Sequence, residues 1–180
     1  MYTLPNAMTC PSTLYPMSVA TCVRFQENPE KAPVVLWLQG GPGGSSLFGL
    51  FVEHGPYLVA KGGVPELRET TWAQRYSMIY IDNPVGAGFS FTEHDDGYAR
   101  NQEDVGRELH EALQQFFTLF DEYAANDFYA TGESYAGEVT LQCLATLTHL
   151  KEGAETILIN ERSTWHVLLW ERPPAVAYKV

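Results

Sequence analysis

No aspartate follows Asp127 in this chain of 180 residues, and only three cysteines, Cys10, Cys22 and Cys143, occur in it. An odd set of cysteines without metal-ligand spacing supports neither a disulfide framework nor a zinc site, so free or buried thiols are expected, with a Cys10 to Cys22 pairing left open. Asn-x-Ser/Thr sequons are absent, which removes one sign of a secreted surface. Basic residues are scarce as well: 11 Lys and Arg against 22 Asp and Glu give a net charge of -11. Such a charge repels phosphate-rich surfaces at long range, so neither nucleic acid nor an anionic membrane is an expected partner. No apolar run reaches the roughly 18 residues of a membrane span. Met1 to Thr21 lacks a basic start and is interrupted by Pro5, Pro11 and Pro16, so it does not read as a secretory signal.

What is present suits one core, since 45% of the residues are hydrophobic. Residues 1–33 are rich in Pro, Thr, Ser and Met without periodicity and read as irregular. Val34-Val35-Leu36-Trp37-Leu38 is a continuous apolar run between Pro33 and a glycine cluster, the pattern of a parallel strand covered on both faces. Met78 to Ile81 and Asp127 to Thr131 read as two more buried strands. Between them Val105, Leu109, Ala112, Leu113, Phe116, Phe117 and Phe120 recur at three- and four-residue steps, which predicts a helix with one apolar face. Strand, crossover helix and strand form a right-handed unit, so an α/β sandwich is expected for residues 34–137. Beyond Gly137, Val139, Cys143, Leu144 and Leu147 suit a further helix, Thr156 to Ile159 and His166 to Trp170 two short strands, and Arg172-Pro173-Pro174 an extended tail.

Two segments carry chemistry. Gly132-Glu133-Ser134-Tyr135-Ala136-Gly137 follows the third strand, and a serine on a tight strand-to-helix turn is how α/β-hydrolases expose a nucleophile. Gln39-Gly40-Gly41-Pro42-Gly43-Gly44-Ser45-Ser46 follows the first strand. Its glycines let backbone N–H groups approach a ligand closely, as an oxyanion hole requires, and Gly41 and Tyr135 are the candidate donors. A nucleotide phosphate loop is the competing reading, but the Gly-Lys-Ser/Thr ending is missing. Taken alone, Glu53 and Glu133 would be ordinary exposed carboxylates.

Trp37 to Ser46, Leu50 to Pro56, Tyr80 to Ser90 and Asp127 to Gly137 together resemble successive signatures of the serine carboxypeptidases. The resemblance covers about residues 28–137 and implies a partial α/β-hydrolase fold: a mostly parallel sheet, helices on both faces, truncated after the nucleophile elbow. It divides the chain into the segment 1–33, a partial hydrolase domain over 34–150 and a divergent tail over 151–180. Ser134 would be the nucleophile, with Gly41 and Tyr135 as oxyanion donors. Trp37, Gln39, Gly40 and Glu133 would bind the free C-terminus of a peptide, and Glu53 would partner Glu133. Two close carboxyl groups retain one proton to higher pH, so action at acidic pH follows. No cofactor or metal is needed for acyl transfer by this route, and the family is lysosomal or secretory.

The resemblance also sets an expectation of incompleteness. The family places an aspartate and then a histidine far beyond the elbow, whereas residues 138–180 offer His149 and His166 with Glu155, Glu161 or Glu171. His54, His94 and His110 precede the elbow and read as surface or structural histidines. A truncated or alternative product without a complete triad is therefore expected, at most a peptide- or partner-binding fragment, with uncovered sheet edges favouring self-association. A lipase or esterase of the same fold would fit the elbow but not the set Trp37, Gln39 and Glu133.

Overall fold

The computed structural model describes residues 31–140 in full and, outside them, the backbone of three strands. In chain order the elements are β1 (Ala7–Thr9), β2 (Ala20–Val23), β3 (Val34–Leu38), β4 (Tyr57–Val59), β5 (Pro65–Leu67), β6 (Ser77–Ile81), α1 (Gln102–Leu119), β7 (Phe128–Glu133) and β8 (Trp165–Trp170). Six strands form one sheet in the order β1-β2-β6-β3-β7-β8, and β4 with β5 forms a separate hairpin. The middle is parallel, β6 and β7 flanking β3, while β1, β2 and β8 join antiparallel.

Strand β3 consists of aliphatic residues and one tryptophan, and all five of its residues are buried. Alternation along it divides the core. Val34, Leu36 and Leu38 join Ile79 and Ile81 of β6 on one face, and Val35 and Trp37 join Met78 and Tyr80 on the other. Helix α1 covers the first face through Val105, Leu109, Ala112, Leu113 and Phe116, with Phe117 and Phe120 packed at the rim. Its start is fixed locally: the Asn101 side chain accepts a hydrogen bond from the Asp104 N–H at 2.8 Å, and Glu103 and Asp104 lie in the first turn, where carboxylates suit the helix dipole. The second face is covered by a π-helical turn at Gly49–Glu53, the β4–β5 hairpin and a 3-10 turn at Trp72–Gln74.

The crossover through α1 carries the chain from β6 over β3 to β7, so consecutive strands of the motif are not neighbours. In consequence β3 and β7 end side by side, Leu38 opposite Gly132, and the two glycine-containing turns emerge at the carboxyl edge of the sheet, where open α/β sheets bind ligands. The segment 1–33, expected to be irregular, contains β1 and β2, with Thr21 opposite Tyr80. These strands have three and four residues, too few to show a periodicity, and β6 supplies the edge that orders the second of them. The helix expected after the elbow begins at residues 136–140. Cys143, Leu144, Leu147, Thr156 to Ile159 and the proline tail lie outside the described residues. The strand expected at His166 to Trp170 is present as β8, paired antiparallel with β7. Among the described residues no helix is long and apolar enough to cross a membrane.

Leu36 is fully buried in the central strand. Leu36→Ala is expected to cost about 3 kcal/mol of folding stability, within the range for buried leucines, read from the urea midpoint at unchanged m-value.

Candidate active site

Two residues beyond the buried Trp37, the chain leaves β3 at Gln39, and the indole sets that side chain. Trp37 Nε1 donates to Gln39 Oε1 at 3.1 Å, which fixes the amide so that Nε2 donates to Glu133 Oε2 at 2.7 Å. Glu133 is the last residue of β7, and the bond therefore ties together the exits of two neighbouring strands. Glu53, at the end of the π-helical turn, reaches the same point. Its carboxyl is held above the ordinary carboxylate range by burial first, then by the charge of Glu133 and by a hydrogen bond with Glu133, and Gln39 opposes the shift by hydrogen-bonding it. Glu53 thus keeps its proton to higher pH, while its buried Oε2 has no hydrogen-bond partner among the described residues. The structure brings Trp37, Gln39, Glu53 and Glu133 into one polar cluster.

Ser134 follows Glu133 at φ 55°, the left-handed region that side chains rarely occupy, and it is exposed. The turn is closed behind it: Gly137 N–H donates to the Ser134 carbonyl at 3.0 Å and Glu138 N–H to the Tyr135 carbonyl at 3.1 Å. Tyr135 N–H sits at the open start of the following helix, where backbone donors have no partner within the helix. Gly40 abuts this turn. A Cβ there would lie 2.7 Å from the Glu133 carbonyl, 3.0 Å from Ser134 Cβ and 3.3 Å from Tyr135 N, so only glycine lets the loop carrying Gly41 approach the elbow.

A part of the frame that the sequence reading left without a role is Asp82, at the end of β6. It is buried, and its carboxylate accepts from Ser45 Oγ, Ser46 N–H and Phe89 N–H, each at 2.8 Å. Ser46 Oγ in turn donates to the Ile81 carbonyl at 2.6 Å and accepts from Gln39 N–H at 3.1 Å. The available signal was an aspartate placed directly after a buried strand and before Asn83-Pro84, inside a motif segment.

The histidines fall into different settings. His94 is exposed. His110 is buried on α1, its Nε2 2.9 Å from Gln114 Nε2. His54 is buried in aromatic rings: stacked on Trp72 at 4.2 Å, edge-on to Trp37 at 4.3 Å, with Tyr80 Oη 3.4 Å from its Nδ1. Burial, and then the positive charge of Arg68, lowers its pKa from 6.5 to about 4. Among the described residues no hydrogen bond joins a histidine to Ser134, and no group of three or more His, Cys, Asp or Glu is arranged to hold a metal ion.

The family model described as serine carboxypeptidase matches residues 21–163. The chain belongs to the serine carboxypeptidase family. The match takes in more of the chain than the motif segments, reaching β2 on one side and passing the elbow on the other. Among curated relatives, "Probable serine carboxypeptidase CPVL" of Mus musculus is 66% identical over 110 residues, 61% of this chain and 23% of that protein. The Homo sapiens protein of the same name is 57% identical over 135 residues, 75% of this chain and 28% of the relative. The vitellogenic carboxypeptidase of Aedes aegypti is 52% identical over 116 residues, 64% and 25% of the two chains. This chain therefore spans about a quarter of the length of the curated relatives it matches. A solved prohormone-processing carboxypeptidase of Saccharomyces cerevisiae has the same architecture over 76% of this chain and 30% of its own, with a TM-score of 0.67 and 30% identity.

The His54 cluster gives a pH dependence with a definite sign. A histidine whose folded pKa is lowered to about 4 stabilises the fold fully above its unfolded pKa near 6.5, and that contribution is lost as pH falls from 6.5 to about 4. The loss is on the order of 3 kcal/mol. His54→Phe keeps an aromatic ring against Trp72 and is expected to flatten this part of the stability profile; denaturation at pH 4, 5, 6 and 7 measures it, and an unchanged slope would assign the loss to other groups.

Proposed function

We propose that this chain carries the substrate-binding and nucleophilic part of a serine carboxypeptidase site, in which Ser134 attacks the last peptide bond of a substrate whose free carboxylate is held at Gln39, Glu133 and Glu53. The observation that supports it most is the hydrogen-bonded chain from Trp37 through Gln39 to Glu133, placed one residue before the strained serine. In this reading Ser134 Oγ adds to the carbonyl carbon and gives up its proton to a base. The N–H groups of Gly41 and Tyr135 receive the oxyanion. The C–N bond then breaks, the leaving amine takes a proton, and water hydrolyses the acyl-serine ester. Gly40 keeps the two oxyanion donors together, and Trp37 serves the terminal carboxylate by orienting Gln39.

Recognition here uses no fixed cation. A substrate carboxylate beside Glu53 and Glu133 needs a proton in the cluster, and Glu53, whose pKa is raised, is the group that retains it. Binding is therefore strongest below the Glu53 pKa and weakens as pH rises through it, which matches an acidic, lysosomal or secretory setting. One of the family relatives bears the name lysosomal protective protein.

A second reading has its own support: among the described residues the binding cluster is in place while no histidine hydrogen-bonds Ser134. Such a chain binds peptides with a free C-terminus and turns none over. Hydrolysis of an N-blocked dipeptide between pH 4 and 7 separates the two. The enzymatic reading expects turnover that drops by about a thousandfold or more in Ser134→Ala and a pH profile flattened in Glu53→Gln. The binding reading expects no turnover from folded protein, with peptide affinity weakened about ten- to a hundredfold in Gln39→Ala.

A further inference from the structure

Gly40, Gly41, Gly43 and Gly44 have no side chains with which to hold a shape, and the loop is anchored through Ser45 and Ser46: we propose that the Asp82 carboxylate is a positioning group that locks the loop 40–46 against the elbow. The loop is a ring closed twice at its base, by Gly44 N–H on the Gly40 carbonyl at 2.9 Å and by Gln39 N–H on Ser46 Oγ at 3.1 Å. Those bonds shape the ring. Its second foot is fastened to the end of β6, where Ser46 Oγ donates to the Ile81 carbonyl at 2.6 Å and the Asp82 carboxylate gathers the neighbouring donors. One carboxylate oxygen of Asp82 takes both the Ser45 hydroxyl and the Ser46 N–H, and Ser45 Oγ also accepts from Leu47 N–H at 3.3 Å.

The other oxygen takes Phe89 N–H, from the loop that returns after β6. Gly88 marks how close that loop comes: at φ 51°, a Cβ on it would lie 2.1 Å from Asp82 Oδ2 and 2.8 Å from Ser45 Oγ. Ser90 Oγ donates to the Asp82 carbonyl at 2.6 Å, so the same residue is held by side chain and main chain together. Three hydrogen-bond donors converge on a carboxylate that is 2% exposed, an arrangement in which the charge is satisfied by aimed N–H and O–H groups rather than by water. An amide at this position cannot reproduce it. Asn offers one acceptor oxygen and would turn its NH₂ toward either Phe89 N–H or the Ser45 and Ser46 donors.

This inference rests on the carboxypeptidase reading for its catalytic meaning, and the test keeps the two apart. In the full chain, amide hydrogen exchange at Gly44, Ser46, Leu47 and Phe48 is compared between wild type and Asp82→Asn. A rise of about tenfold or more confined to those amides, with β3, β6 and β7 as protected as in wild type, is the expected result. Unchanged loop exchange, or a rise shared equally by the three strands, overturns the proposal. Should Asp82→Asn fail to fold, Ser45→Ala removes one of the three bonds and is expected to raise exchange at the same amides by about threefold; no rise there overturns it equally. Asp104→Asn, a carboxylate lost at the exposed start of α1, should leave the loop alone. A serine-directed phosphonate supplies the second readout. Where wild type is labelled at Ser134, Asp82→Asn is expected to slow the labelling step about tenfold or more while peptide affinity at Gln39 is kept, a split that general destabilisation does not produce. Labelling at wild-type rate would overturn the positioning role. An unlabelled wild type would instead count against Ser134 as nucleophile, and the exchange result would still decide the role of Asp82.

Discussion

Everything at the carboxyl edge of the sheet depends on the parallel register of β3 and β7. Leu38 lies opposite Gly132, so the residues that follow each of them, Gln39 and Glu133, come within one hydrogen bond of each other. Side-chain alternation makes such a register hard to shift, because a slip by one residue would exchange the two faces of β3 and bring Trp37 to the face packed by α1. The buried aliphatic residues of the sheet thus do more than stabilise it. They set the distance between the glycine loop and the elbow that the polar contacts bridge.

Glu53 and His54 are neighbours in sequence with opposite titration behaviour. Burial raises the pKa of the carboxyl and lowers that of the imidazole, so in each case it favours the uncharged form. The signs of their linkage differ accordingly. Glu53 favours the folded state below its raised pKa and that contribution is lost as pH rises through it, whereas the contribution of His54 is lost as pH falls. Below the cluster, Trp37 connects the two: its ring lies edge-on to His54 and its indole N–H reaches Gln39.

The parallel middle of the sheet and α1 were legible because their signals are local and repeated. The run Val34 to Leu38 and the spacing from Val105 to Phe120 each state their own burial, and the buried residues match them. The elbow was legible for another reason, since glycines around a serine restrict the backbone to few shapes. The covering of the second face was not. Gly49–Glu53 and the β4–β5 hairpin are held by Arg68, whose guanidinium donates to the carbonyls of Gly55 and Phe51 at 3.0 Å each, and no periodicity announces a side chain that substitutes for secondary structure. Asp82 stayed hidden for the same reason, its partners being 36 and 37 residues away in one direction and seven in the other. Strand β8 was partly legible: its apolar run reads as a strand, but which edge it joins is a property of β7 and not of its own sequence.

The amide of Gln39 has one further consequence. Its oxygen is taken by the Trp37 indole, and its nitrogen serves both Glu133 and Glu53. The amide is thus committed on both sides, while Glu53 Oε2 is left without a hydrogen-bond partner among the described residues. In the proposed role, an incoming carboxylate would take over a bond from the amide nitrogen that one of the two glutamates holds. Affinity at such a point would be the small difference between two hydrogen-bond networks, so selectivity would come from how well an incoming group reproduces the carboxylate it displaces, more than from how many bonds it makes.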